Sequence, residues 1–224
     1  MHQRWESLLF LHWAIPPARV QDTLPAGLTV DTFEGAAFIG IVPFFMRNVR
    51  PVGLPAVPWL SHFQELNVRT YVYDREGVPG VWFYSLDCNR RVAVAGARAL
   101  TGLPYYNARM TATRGASVNY TCRRRGTSEP ACYRYRGDGE DREPALESLD
   151  SFLLDRYYLY AVRRGSLLRA QVSHERYRYR AAQVDELSLI PAHLDGLTEL
   201  TGAPLHQCFV DGFDVAIYRT QKLG

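Results

Sequence analysis

A chain of 224 residues, 47% hydrophobic and 22% charged, has the make-up of a globular protein that can bury a real core without disulfides or metals. Its net charge of +3 speaks against a dedicated polyanion binder. No apolar run approaches the ~20 residues needed to span a bilayer, and the first six residues lack the pattern of a signal peptide. A cytoplasmic protein with no membrane engagement is expected.

The basic residues are arginines except Lys222, near the end of the chain, a usage that suggests a GC-rich genome more than a nucleic-acid role. Cys88, Cys122, Cys132 and Cys208 form no C-x-x-C pair, and His174, His193 and His206 show no metal-ligand spacing with them. Reduced cysteines, no metal and no cofactor are therefore expected.

In chain order, residues 7–13 read as a buried strand. Pro16-Pro17 ends it and opens a helix over 17–24. After a turn at 33–35, residues 36–45 form a second apolar strand. The segment 47–59, with Pro51, Pro55 and Pro58, reads as an irregular loop. Residues 65–73 and 81–86 are strands joined by a hairpin turn at 74–77. Asn89 caps a helix over 90–100 that Thr101-Gly102 closes, and its small residues predict tight burial. Short alternating strands fill 108–136, and the charged, glycine-bearing stretch 137–143 reads as a loop. Leu146, Leu149, Phe152 and Leu153 predict a helix within 144–156. A further hairpin spans 157–162 and 167–174, a helix spans 191–200, and a strand over 210–219 closes the chain. No linker or internal repeat interrupts the pattern, so residues 1–224 read as a single domain. The order predicts an α+β fold, mainly antiparallel sheet, that can curl into a barrel.

The most informative strand is the one at 65–73. Glu65, Asn67 and Arg69 alternate with Leu66, Val68 and Thr70, so one face is chemically varied and the other apolar. A strand of this kind suits the wall of a cavity.

Several motifs carry a family resemblance. They are F-x-E-L-N-V-R-T-Y-V from 63, P-G-V-W-F-Y-S-L-D from 79, A-R-A-L-T-G-L-P-Y from 97, S-L-D-S-F-L-L-D-R-Y-Y-L-Y from 148, and V-S-H at 172–174. With L-F-L-H-W at 9–13 and L-P-A-G-L at 24–28, the chain resembles the YqjF-like bacterial proteins of unknown function over nearly its whole length. That family is similar in outline to acetoacetate decarboxylase. The resemblance implies a closed, cone-like β-barrel with peripheral short helices and a central pocket. Acetoacetate decarboxylases carry Pro-Lys-Lys after a segment like A-R-A-L-T-G-L, and the first lysine forms a Schiff base. This chain reads Pro104-Tyr105-Tyr106 there. A phenol cannot form an imine, so the resemblance implies the pocket without that chemistry.

The candidate catalytic groups are Glu65, which could move a proton, Tyr105, which aligns with the imine-forming lysine, and His174 in V-S-H. The candidate ligand-binding residues are His12, Asn67, Arg69, Ser85, Asp87 and Arg98. Arg98, on a helix of small residues, needs an acid if buried, and Glu65 or Asp87 is the nearest candidate. A Ser85–Asp87–His174 triad lacks any nucleophile elbow around Ser85. Glu65 and Arg69 could equally satisfy one another as a structural pair. Arg123-Arg124-Arg125 and the Arg176/Arg178/Arg180 series, interleaved with tyrosines, suit either single-stranded nucleic acid or a solvent-side strand.

The sequence therefore predicts a small-molecule-binding pocket protein. If it is an enzyme, it is a lyase, hydratase or isomerase acting on a carbonyl or carboxylate compound, such as a keto or carboxylic acid, without a Schiff-base lysine. The alternatives are a non-catalytic metabolite-binding protein and an arginine- and tyrosine-rich nucleic-acid module. A homo-oligomer is compatible with each.

Overall fold

β-Branched and aromatic residues in period-two alternation dominate the chain, and they form a sheet that closes on itself. The computed structural model describes residues 1–57 and 59–223, with only the backbone at Ala93, Ala97, Ala99 and Leu100. Pro58 of the proline-bearing segment lies outside the described residues. The strands are β1 (His2–Ile15), β2 (Leu28–Val30), β3 (Ala37–Arg50), β4 (Phe63–Asp74), β5 (Pro79–Cys88), β6 (Tyr105–Arg114), β7 (Val118–Arg124), β8 (Ala131–Arg142), β9 (Tyr158–Arg163), β10 (Ser166–His174), β11 (Tyr179–Glu186), β12 (His206–Ile217) and β13 (Gln221–Lys222). The helices are short: α1 (Pro17–Gln21), α2 (Arg91–Thr101), α3 (Leu149–Leu154) and α4 (Ile190–Leu194). Among the described residues no helix is long and apolar enough to cross a membrane.

All 13 strands belong to one sheet, antiparallel except for the β5–β6 and β5–β9 pairs. The sheet closes twice. One ring runs β5–β6–β7–β8–β11–β12–β1–β3–β4 and returns to β5. A second runs β5–β9–β10–β12–β1–β3–β4 and also returns to β5. The expected α+β fold, a closed and mainly antiparallel sheet with short peripheral helices, is what the chain adopts.

The shared strands β1, β3 and β4 are buried on both faces. From β4, Leu66 and Val68 pack with Tyr120, Tyr133 and Tyr135 in the core of the first ring. The opposite face of β4 looks into the second ring. Two bulges keep the facing residues in phase. Ser7 (φ 52°) interrupts β1, so that Gln3 and Trp5 before it share a side with Leu8 and Phe10 after it. Asn48 (φ 52°) does the same in β3 for Phe44, Met46 and Val49. An extra residue in a strand re-aims every side chain beyond it, which simple alternation cannot anticipate.

Other departures from the expected elements have local causes. Residues 137–143 are largely strand, because β8 continues to Arg142 against β11. Gly137 is needed there, since a Cβ would meet the Phe209 ring at 2.5 Å, and Gly139 (φ +76°) marks a bulge. The helix expected over 144–156 starts only after Ser148, whose Oγ accepts from Ser151 N at 3.2 Å. The helix expected over 191–200 ends early, before Gly196 in the left-handed region (φ +86°). Helix α2 is not tightly buried. Val92, Gly96 and Arg98 are exposed, Val94 is buried, and Ala93 and Ala97 lie outside the described side chains.

Candidate functional site

The second ring encloses a cavity of about 370 Å³. Its walls come from β1, β3, β4, β5, β9 and β10, and Pro51, Leu60 and residues of α2 also line it. The walls are mostly apolar, with Trp5, Phe10, Phe44, Phe63, Phe83 and Leu159 prominent. Within this apolar lining the polar face of β4 stands out. Glu65, Asn67 and Arg69 line the cavity and are 3%, 6% and 7% exposed.

Glu65 lies beside Tyr105. The crossover from β5 to β6 through α2 delivers Tyr105 to this place. Helix α2 ends at Gly102 (φ +76°), where a Cβ would lie 2.6 Å from the Val162 carbonyl, and Leu86 N then bonds Pro104 O at 3.0 Å. Tyr105 Oη donates to Glu65 Oε2 at 3.1 Å. Tyr106 points away and is exposed, with the Arg124 guanidinium 4.4 Å from its ring centre. Burial pushes the Glu65 carboxyl up to about 8, against the smaller opposing pull of the Tyr105 hydroxyl, so Glu65 carries its proton at neutral pH. Burial and the neighbouring Glu65 hold the Tyr105 phenol well above its ordinary value.

Arg69 sits differently. Its Nη2 donates to Tyr71 Oη at 3.3 Å and to Leu153 O at 3.4 Å, and its guanidinium lies over the Phe10 and Tyr71 rings at 5.1 and 5.6 Å. Among the described residues it has no carboxylate partner, and its Nε has no hydrogen bond. The supposed structural pair with Glu65 does not form. A second guanidinium, Arg156, lines the same region but is neutralised by Asp31 at 2.6 Å. Among the described residues Arg69 is thus the one buried guanidinium of the cavity without a carboxylate partner, at a real desolvation cost.

His174 lines the cavity from the end of β10. Its Nδ1 lies 2.6 Å from Glu175 O, and its ring packs among Tyr157, Tyr177 and Phe213. Burial lowers its pKa, which leaves it neutral near pH 7. Tyr177 is buried and lines the cavity, and its ring meets Phe10 and His174 edge-on. Gln3 Oε1 and Nε2, Trp5 Nε1 and Asn67 Oδ1, all buried and on cavity-lining side chains, are without hydrogen-bond partners among the described residues. Such orphans cost about 1–3 kcal/mol each and ask for an explanation.

Four expected ligand contacts lie elsewhere. His12 is fully buried behind the cavity wall. Its Nε2 lies 2.7 Å from Tyr71 Oη, its Nδ1 lies 2.8 Å from His206 Nδ1, and His206 Nε2 lies 2.8 Å from Asp150 Oδ1. Burial lowers both histidines' pKa values, and the neutral forms fit a single direction of donation. Arg69 donates to Tyr71, Tyr71 to His12 Nε2, His12 Nδ1–H to His206, and His206 Nε2–H to the Asp150 carboxylate. This chain holds Arg69 in place from behind.

Ser85 and Asp87 face the first ring, on the side of β5 opposite Phe83 and Leu86. A register slip at Val68/Arg69 puts Phe83 and Leu86 together on the cavity side. Asp87 takes Arg124 Nε at 2.8 Å and Nη2 at 3.2 Å, and Asp195 takes Arg124 Nη1 at 2.7 Å. Ser85 accepts from Arg124 Nη2 at 2.7 Å and donates to Asp195. The imagined Ser85–Asp87–His174 triad does not assemble. Arg98 is exposed and does not line the cavity, so neither Glu65 nor Asp87 is its partner.

Sequence reasoning missed Arg156, Tyr177, Gln3 and Trp5. The 3/5 alternation of Gln3 and Trp5 was a readable signal, of the same kind as that of Glu65 and Asn67. Arg156 and Tyr177 lie in connections whose paths only the tertiary structure sets.

Comparison with known proteins places this arrangement. The family model of the uncharacterized conserved protein DUF2071 matches residues 2–213. The uncharacterized protein YqjF of Bacillus subtilis (strain 168) is 35% identical over 187 residues, which is 83% of this chain and 77% of that protein. Among solved structures, the enduracididine biosynthesis enzyme MppR complexed with pyruvate superposes with a TM-score of 0.69 at 13% identity, over 100% of this chain and 90% of the other. An acetoacetate decarboxylase-like enzyme from Sphingomonas wittichii RW1 gives 0.65 at 16%, over 99% and 92%. Acetoacetate decarboxylase from Legionella pneumophila gives 0.66 at 12%, over 99% and 87%. The chain belongs to the DUF2071 family and has an acetoacetate decarboxylase-like fold.

Proposed function

We propose that the protein binds a small organic carboxylate in the second-ring cavity, with Arg69 as the anion anchor and the Glu65–Tyr105 pair as the group that addresses a carbonyl. The observation that carries this reading is the buried Arg69 guanidinium, without a carboxylate partner among the described residues, in a mostly apolar cavity. A ligand carboxylate supplies the missing charge and accepts from the idle Nε. Protonated Glu65 has a proton to give, and Tyr105 can polarise an oxygen. Any lyase, hydratase or isomerase chemistry here proceeds without a Schiff base, since Tyr105 stands at the lysine position and Lys222 lies exposed on β13. The solved complex of MppR with pyruvate supports a keto acid as the ligand class.

The test is calorimetric titration with carboxylates and size-matched neutral ketones, on the wild type and on Arg69→Met. Acids are expected to bind and the neutral ketones to bind weakly. R69M is expected to lose at least about tenfold in acid affinity, as for a charged hydrogen bond. Equal binding of ketones and acids, or an unaffected R69M, refutes the reading.

A further inference from the structure

The two chemical poles of the cavity are far apart. Glu65 and Arg69 are four residues apart on a strand that pairs with β3 in unbroken register, Phe44 opposite Glu65 and Gly40 opposite Arg69. At ~3.3 Å per residue their Cα atoms are separated by about 13 Å. Their surroundings differ as well. Glu65 is bonded to Tyr105, whereas Arg69 lies against Phe10, Tyr71 and the Leu153 carbonyl. The Arg69 charge perturbs His12, Tyr71, His174 and Tyr177 but neither Glu65 nor Tyr105. Asn67, with its orphaned Oδ1, sits midway between the poles.

With the Cα separation taken as the separation of the two head groups, a ligand held at both poles by ~3 Å hydrogen bonds spans roughly 7 Å between its two oxygen functions. A saturated chain advances about 1.25 Å per carbon–carbon bond of about 1.52 Å at a near-tetrahedral angle. The span therefore needs roughly five or six bonds. In a 2-oxo or 3-oxo acid the two functions are one or two bonds apart, so such an acid reaches only one pole. The lining between the poles, with Val42 and Leu86 on either side of Asn67, is apolar, and the cavity of about 370 Å³ is in the range that takes a drug-sized ligand.

We propose that the cavity is built for an elongated monocarboxylate with an apolar middle and a carbonyl or hydroxyl roughly five or six carbon–carbon bonds from the carboxylate. This rests on the carboxylate reading of Arg69 and adds the ligand's length and shape. The carboxylate sits at Arg69, the hydrocarbon spans the apolar lining on either side of Asn67, and the far oxygen meets Glu65 and Tyr105.

Three probes decide it by calorimetry: 7-oxooctanoate, its isomer 2-oxooctanoate, and pyruvate. Wild-type protein is expected to bind 7-oxooctanoate at least about tenfold more tightly than 2-oxooctanoate, and pyruvate more weakly than either. Tyr105→Phe and Glu65→Gln are expected to narrow the gap between the isomers without abolishing 2-oxooctanoate binding. If the two isomers bind equally, or pyruvate binds as tightly as the eight-carbon acids, and R69M still weakens them all, the elongated-ligand proposal falls while the carboxylate reading stands. If none of the acids binds, or if 2-octanone binds as well as they do, both fall.

Discussion

Glu65→Gln isolates the electrostatic state of the cavity. The amide keeps the shape of the side chain and still accepts from Tyr105, but it cannot ionise. In the native protein burial holds the Glu65 carboxyl at about 8, against 4.5 for the free group. A raised carboxyl pKa means that the folded state binds the proton more tightly than the unfolded chain does. The sign follows from linkage: Glu65 costs nothing below pH 4.5, the cost grows from 4.5 to about 8, and it is complete above that. A shift of this size corresponds to a ceiling of about 5 kcal/mol at about 1.4 kcal/mol per unit. For a domain of this size the ceiling is roughly 10–20 °C in Tm, at about 2–4 °C per kcal/mol. The assay is thermal unfolding of wild type and variant from pH 5 to pH 9. The difference in Tm, variant minus wild type, is expected to be smallest at pH 5 and to rise steadily toward pH 9 in favour of the variant. Even a third of the ceiling is easily measured. A difference independent of pH means that Glu65 titrates normally and is ionised at neutral pH, and it refutes the picture of a neutral acid facing the ligand.

Arg124→Met leaves Asp87 and Asp195 buried without their cation and is expected to cost about 3–5 kcal/mol, read by denaturant unfolding. A loss under about 1 kcal/mol means that the cluster relaxes into solvent. His12, held neutral by burial with its pKa well below 6.5, contributes stability that is lost as pH falls below about 6.5; His12→Gln is expected to flatten that acid limb, and an unchanged limb contradicts the neutral Arg69-to-Asp150 chain. Borohydride trapping with acetoacetate or pyruvate is expected to leave the mass unchanged, and an adduct on any residue overturns the assignment of chemistry without a Schiff base.

Much of the fold and part of the site could be read from the chain itself. Period-two alternation over 63–74 fixed both faces of β4, because a strand's side chains alternate whatever surrounds it. The same logic put Glu65, Asn67 and Arg69 on one side and Leu66 and Val68 on the other. Tyr105-Tyr106, where the resemblance to acetoacetate decarboxylases implies lysines, spoke against imine chemistry without any coordinates. Tertiary structure decided the rest. The slip at Val68/Arg69 turned Ser85 and Asp87 away from the cavity toward Arg124, a residue of β7, two strands away across β6. Bulges at Ser7 and Asn48 re-phased β1 and β3, which a strict alternation count misassigns. His12, at the end of an apolar strand, looked like a ligand contact, yet its partners Tyr71 and His206 are 59 and 194 residues away. Local pattern determines which way a strand's side chains point. Which of two closed rings they point into, and whether a buried charge there meets a partner, depends on pairings between distant segments, and these exist only once the sheet has closed.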